Sequence, residues 1–519
     1  MPWRPEGAGK GGQDIRLPRG RNAMARRNAS AGRRLWKRPA RGWDTCRSQV
    51  PWEQRLSSPE VSRFDAVVIG GGASGALVAA HLLGEGAPAR TVALVEPRAV
   101  VAEGVAYSTR RGEHLLNVRA AGMSAFDDAP GDFVRFLGTL PENADEDPAA
   151  LGVRFMPRRV YARYLAAVLD ASPGRGRLHR LQDAVQDVVR ADDGFEVWLA
   201  SGGRLQARSV VLAVGNRSAP LPLASMAAAG APAAIEAWDY PAVATIAPDA
   251  DVCILGAGLS MVDVVLTLRA GGHRGRITTL SRRGLVPLPH AAPCAPADVD
   301  LQQLLAMGLA ARMRTIRQLA AREMARGRPW QGAMDALRPH VQALWTSLDA
   351  DGQRRFLRHA VRHWDVHRHR IPAEVAAQLE AAVDAGRLEH LAGCLVAIEQ
   401  VGPRLGIAWR PRGSDGTARF EADVLVNALG MDKRIDAGTG LLPRLCARGL
   451  LHRGPHCIGA ATRADGVPLA ADGLPVTGLW TLGSLRVGDL WESIAMPELR
   501  GQARAVARAV HAHLDAAGP

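Results

Sequence analysis

Two glycine clusters in this chain each stand where a short apolar run stops. The first is Gly70-Gly-Gly72-Ala-Ser-Gly75, directly after Asp65-Ala-Val-Val-Ile. The second is Gly256-Ala-Gly258-Leu-Ser-Met261, directly after Asp251-Val-Cys-Ile-Leu. A strand that runs into glycines and then a helix is suited to hold a pyrophosphate. One glycine makes the tight turn, the next lets phosphate approach the backbone, and the third lets the helix pack on the sheet. Free amides and the positive helix end then bind the negative charge. Glu96 lies 21 residues after Gly75, at the end of a strand expected over 91–96, where a carboxylate would accept ribose hydroxyls. The contacts expected at the first turn are therefore Gly70, Gly72, Ser74, Gly75 and Glu96, and at the second Gly256, Gly258 and Ser260. Met261 replaces the third glycine of the second turn, so that helix is expected to sit slightly further from its sheet. The strand after it, 276–281, ends in Arg282-Arg283-Gly284 with no acid. Two guanidinium groups there suit a 2′-phosphate and favour NADPH, while a solvated turn that admits NADH is the alternative.

The elements that must position these turns are readable from periodicity. A helical pattern over 74–83 and the strand at 91–96 close a first β-α-β unit, and a second begins at 251. Further strands are expected at 195–199, 210–214, 395–398, 406–409, 424–428 and 478–482. The stretch 296–385 reads as largely helical. A last helix over 497–514 places Leu499, Ala503, Val506, Val510 and Leu514 on one face. The fold class implied is α/β, with two Rossmann-like dinucleotide-binding domains and a largely helical insertion. The expected boundaries are a basic leader over 1–60, a first nucleotide domain over 61–220, a second over 221–420 containing the helical segment 296–385, and a return to the first over 421–519.

Two later segments select FAD for the first site. Ser209-Val-Val-Leu-Ala-Val-Gly215-Asn216 resembles the crossover between the FAD and NAD(P) domains of two-dinucleotide flavoproteins. Leu479-Trp-Thr-Leu-Gly483-Ser484, followed by Trp491-Glu-Ser-Ile-Ala-Met-Pro497, resembles their strand along the ribityl chain and the helix aimed at the flavin pyrimidine. That likeness implies Gly215, Gly483, Ser493 and Ile494 as flavin contacts. Many such proteins have Gly-Asp where this chain has Gly483-Ser484, and Asp489 is the nearest later acid.

The wider pattern resembles the bacterial FAD-NAD(P)-binding protein family. It is carried by Gly104-Val-Ala-Tyr107-Ser-Thr, His114-Leu-Leu-Asn117-Val, Met123-Ser-Ala, Gly258-Leu-Ser-Met-Val-Asp263, Trp364-Asp-Val-His-Arg-His369 and Leu490-Trp-Glu-Ser-Ile-Ala-Met-Pro-Glu498. The family is similar in layout to class B flavin monooxygenases and N-hydroxylating monooxygenases. The resemblance implies an FAD-dependent, NAD(P)H-consuming oxidoreductase that passes electrons to molecular oxygen and hydroxylates a small heterocycle, with urate to 5-hydroxyisourate as the candidate reaction. It also implies that residues 114–123 line the flavin, with Asn117, Val118 and Met123 as contacts. Class B enzymes carry a histidine in the linker before the second glycine turn, whereas this linker reads Ala237-Trp-Asp-Tyr240-Pro241.

His359, His363 and His367 recur at helical spacing, but Arg358, Arg362, Arg368 and Arg370 among them would repel a cation, so no metal is expected. An anion-binding face made of Trp364, His367, Arg368 and His369 is the sharper reading, and a structural helix end the plain one. Trp364, His367 and Arg368, with Asn117, are the candidates for substrate contact. The main alternatives to a monooxygenase are a flavin reductase or dehydrogenase with a non-oxygen acceptor and a non-catalytic nucleotide-binding protein. No C-x-x-C pair exists among the six cysteines, which argues against a dithiol centre and for a cytoplasmic place. Formal charge is +14, but residues 1–60 alone hold 14 Lys or Arg against 5 Asp or Glu, so the excess is mostly local. That tail is the only basis for a nucleic-acid partner, which is not expected. No run of apolar residues is long enough to span a membrane.

Overall fold

The computed structural model describes residues 62–222 and 234–517; the basic stretch expected as a leader lies outside them. Two seven-stranded sheets organise the described residues. The first holds β1 (Ser62–Ile69), β2 (Val92–Val95), β3 (Leu178–Leu181), β4 (Val185–Ala191), β5 (Gly194–Leu199) and β6 (Arg204–Leu212) in the order β3-β2-β1-β6-β5-β4. The second holds β7 (Ile235–Glu236), β8 (Val252–Leu255), β9 (Ile277–Ser281), β10 (Leu388–Val401), β11 (Arg404–Pro411), β12 (Ala418–Ala422) and β13 (Val424–Asn427), in the order β12-β11-β10-β9-β8-β13-β7. The late strand β14 (Leu479–Thr481) returns to the first sheet and runs parallel to β6.

The apolar runs seen in the sequence form the middle of each sheet because both faces there are covered. Along β1, Ala66 and Val68 point to one core while Val67 and Ile69 point to another. In β8, Val252 and Ile254 face one way and Cys253 and Leu255 the other. This is the two-residue alternation of a strand working inside a continuous hydrophobic segment. One face of the first sheet is closed by the helices Ala73–Leu82, Arg158–Asp170 and Met496–Ala516. In the last of these, Leu499, Ala503, Val506, Val510 and Leu514 are all buried, on the stripe expected from their spacing.

Two features depart from the sequence reading. β13 pairs with β8 and β7, so residues 424–427 belong to the second sheet and the boundary expected at 421 falls too early. The strands expected at 395–398 and 406–409 are parts of a longer ribbon. β10 is parallel to β9 through Ala392, then turns antiparallel to β11, with a register shift between Leu395 and Ala397. The stretch expected to be largely helical is a series of helices from Leu301 to Asp384, among them Leu309–Ala325 and Ala373–Asp384, with a π-helical turn at Phe356–Ala360 ahead of the helix Val361–Arg368. Among the described residues, no helix is long and apolar enough to cross a membrane.

Candidate functional site: two nucleotide turns

Both glycine turns stand at the carboxyl ends of central parallel strands, where ligands bind in open α/β sheets. Gly70 follows β1 at φ +100°, and a β-carbon there would lie 2.3 Å from the Ala213 carbonyl oxygen. Gly72 caps the helix Ala73–Leu82; its β-carbon would come within 3.1 Å of the Gly104 Cα. A β-carbon on Gly75 would sit 1.8 Å from the Gly70 oxygen, so the helix touches the turn at that point. The residues that must be glycine to shape a phosphate cradle are glycine, and the first-turn amides of the helix have no intrahelical acceptor. This is a fit for a dinucleotide pyrophosphate. Glu96 is buried, and its carboxylate accepts from the Gly71 amide at 2.7 Å and the Arg98 amide at 3.1 Å. It therefore fastens the end of β2 to the glycine turn.

Gly483 is brought to the same place from the far end of the chain. Ser74 Oγ lies 3.5 Å from where its β-carbon would be. Its amide donates to Gln502 Oε1 at 3.0 Å, and its carbonyl accepts from Ser493 Oγ at 2.6 Å. Ser493 was expected as a flavin contact, but its side chain is fully buried and its hydroxyl is spent on Gly483. Ile494, by contrast, is 39% exposed. Ser484 Oγ donates to the Gly215 carbonyl at 2.5 Å, joining the crossover to this loop. Asp489 accepts from the Thr462 amide and hydroxyl at 2.8 and 2.6 Å, so its carboxylate is engaged by Thr462. Gln502 was missed by sequence reading because a lone Gln within an amphipathic helix carries no local signal.

Residues 114–123 run between the two sheets' domains. His114 is fully buried, with Nδ1 2.8 Å from Thr109 Oγ1 and Nε2 2.9 Å from Thr267 Oγ1. Burial pushes its pKa down. Beside it Arg158 grips Asp263 through two hydrogen bonds, 2.6 and 2.9 Å. The Asn117 carbonyl accepts from His290 Nε2 at 3.0 Å. Val118 is half-buried against the first core, and Met123 lies within it, only 2% exposed.

At the second turn Gly256 has φ +114°, and a β-carbon would fall 2.2 Å from the Ala428 oxygen. Gly258 caps the helix Leu259–Ala270, and Met261 is buried in its core. Ser260 Oγ accepts from Trp238 Nε1 at 3.0 Å. A cavity of about 440 Å³ opens over this turn, lined by Gly256, Gly258, Ser281, Arg282, Arg283 and Arg362 among others. The arginine pair therefore faces the nucleotide turn across one open space.

The anion-binding face expected on the helix Val361–Arg368 is corrected by the structure. Trp364 and Arg368 are buried, each 7% exposed, and already serve a carboxylate. Trp364 Nε1 donates to Glu492 Oε1 at 2.6 Å, and Arg368 Nε lies 2.8 Å from Glu492 Oε2. Glu492 and its neighbour Trp491 have φ of +27° and +52°, the left-handed region that non-glycine residues rarely occupy. His367 points elsewhere, with Nδ1 2.7 Å from the His363 carbonyl and its ring edge-on to Trp330. Among the described residues, no group of three or more His, Cys, Asp or Glu could hold a metal ion.

Residues 67–217 match a family model described as FAD-NAD(P)-binding. No curated protein sequence matches the chain. Among solved structures, ornithine hydroxylase from Pseudomonas aeruginosa superposes with a TM-score of 0.58 at 16% identity, over 87% of this chain and 99% of its own. L-lysine 6-monooxygenase from Pseudomonas syringae gives 0.56 at 15%, over 87% and 99%. The cadaverine monooxygenase of the desferrioxamine pathway from Erwinia amylovora gives 0.58 at 12%, over 86% and 94%. At these identities the likeness concerns the fold, which is thus the doubled nucleotide fold of those flavoproteins. Residues 67–217, where the first glycine turn and the crossover both lie, are thus similar to the FAD-NAD(P)-binding family.

Proposed function

We propose that the protein is an FAD-dependent, NAD(P)H-consuming oxidoreductase that works as a flavin monooxygenase on a small molecule. The observation that carries this reading is the second glycine turn with its arginine-lined cavity, alongside a first turn of the same design in the matched family segment. When bound, the flavin accepts hydride from the nicotinamide and passes electrons to oxygen. The chain's own residues bind and orient. Gly70, Gly72 and Gly75 admit the flavin pyrophosphate, Glu96 fastens the turn, and Gln502 with Ser493 fixes the Gly483 loop beside it. Gly215, Val118 and Ile494 are proposed as further flavin contacts, and Asn117 as a contact to flavin edge or substrate. Arg282 and Arg283 are proposed to read a 2′-phosphate and so to prefer NADPH over NADH.

The substrate class is the finer question. The resemblance suggests urate, but Arg368 and Trp364, the side chains that would have met such an anion, are committed to Glu492. The solved neighbours act on amines, namely ornithine, lysine and cadaverine, and an amine is an equal candidate here. The five cysteines among the described residues are free, which suits the cytoplasmic place proposed for the protein. The test is optical and then chemical. The purified protein should be yellow, bleach anaerobically with NADPH, and recolour in air. Oxygen uptake and product mass with urate, ornithine, lysine and cadaverine then name the class. A reduced flavin that ignores oxygen but reacts with a quinone would replace the monooxygenase by a reductase.

A further inference from the structure

The cavity over the second glycine turn has a wall that the nucleotide domain does not supply. Arg362 belongs to the helical segment, about a hundred residues beyond Gly258, yet its Nη2 lies 4.0 Å from where a Gly258 β-carbon would stand. Nη1 of the same guanidinium is held by Asp365 Oδ2 at 3.0 Å, one turn along the helix. The side chain is 33% exposed, so it is neither buried in a core nor free in solvent. The segment also steadies Arg283. Arg283 Nη1 lies 3.3 Å from His363 Nε2, and its Nη2 donates to the Arg358 carbonyl at 3.4 Å. That carbonyl sits in the π-helical turn Phe356–Ala360, a kind of irregularity that clusters at functional sites.

We propose that Arg362 binds the pyrophosphate of the nicotinamide dinucleotide, making the helical segment part of the second nucleotide site. The inference rests on the reading of that cavity as a dinucleotide site. The charge layout divides the work. Arg282 and Arg283 stand after β9, where the ribose of the adenosine half is read. Arg362 stands over the helix amides, where both phosphates of the bridge lie. The planar fork of arginine suits a bridging diphosphate better than a point charge does. Asp365 acts as a positioning residue, since it fixes the fork with one edge turned to the turn.

The test uses the protein as purified and calorimetric titration with NADP⁺, NAD⁺ and adenosine 2′-monophosphate, none of which turns over. R362A should bind NADP⁺ and NAD⁺ roughly tenfold to a hundredfold more weakly, the range for one charge-assisted hydrogen bond. It should bind adenosine 2′-monophosphate, which has no pyrophosphate, like the wild type. R282A/R283A should show the reverse pattern, losing the monophosphate and NADP⁺ while keeping NAD⁺. R362K keeps the charge without the fork, and should weaken both dinucleotides by a smaller factor; it decides the matter if R362A does not fold. Wild-type affinity for both dinucleotides in R362A, or in R362K where that variant decides, overturns the assignment of Arg362 alone. A wild-type protein that binds neither dinucleotide overturns the cavity reading and the inference with it.

Discussion

Asp263 and Arg158 form a bidentate pair between the second nucleotide helix and a helix packed on the first sheet, with side chains only 6% and 16% exposed. Removing one partner strands the other charge away from water. Asp263→Ala should therefore cost about 3–5 kcal/mol of unfolding free energy, read by denaturant titration. A loss near zero would mean that the pair is solvated in solution. His290, which holds the Asn117 carbonyl, makes a pH prediction. Burial, reinforced by the Arg370 charge, lowers its pKa from 6.5 to about 4. The native state thus favours the neutral ring, while the unfolded chain takes up a proton near 6.5. Stability contributed by His290 is full above about pH 6.5 and is lost as the pH falls from there to about 4. Melting temperatures across that window should fall more steeply for the wild type than for His290→Asn. Parallel curves would contradict the assignment.

At the scale of elements, the C-terminal helix Met496–Ala516 does two jobs. Its apolar stripe lies in the core shared with Ala73–Leu82, the helix that starts at the first glycine turn. Its Gln502 holds the amide of Gly483 in the neighbouring loop. Leu514 is 1% exposed at the far end of the stripe. Leu514→Ala should cost about 2–5 kcal/mol through lost burial and the cavity left behind, measured by thermal or urea unfolding. Because Leu514 is far along the helix from Gln502, flavin content per folded molecule should stay near the wild-type value. A pale but equally stable variant would reverse this assignment of roles. The short helix Val361–Arg368 is similarly shared. Arg362 faces the second turn, while Trp364 and Arg368 hold Glu492 in the strained loop ahead of the C-terminal helix.

For the whole molecule, the two turns should be separable by single substitutions. Gly75→Ala drives a methyl to 1.8 Å from the Gly70 oxygen, and the protein should lose its flavin and purify colourless. Gly256→Ala combines φ +114° with a 2.2 Å approach to the Ala428 oxygen. It should purify yellow, bleach with dithionite, and reduce at least tenfold more slowly with NADPH. Absorbance at the flavin band reads both outcomes. If Gly256→Ala bleached with NADPH at the wild-type rate, the second turn would not be the donor site. This separation follows from two sheets of the same plan, each with its own glycine turn at the end of a central strand.

The amino-acid sequence by itself determined both turns, the helices they open and the strands that feed them. In each case strand, glycine and helix follow within about twenty residues, and hydrophobic period and glycine conformation are local properties. It also determined the buried stripe of the last helix. Tertiary structure alone decided that β13 closes the second sheet, that Gln502 and Ser493 clamp Gly483, that Glu492 neutralises Arg368, and that Arg362 reaches the second turn. The Arg368–Glu492 pair joins residues more than a hundred positions apart, and so does the approach of Arg362 to Gly258. Such pairings depend on how finished elements pack, and a basic side chain shows the same local pattern whether it will meet a phosphate, a carboxylate or water.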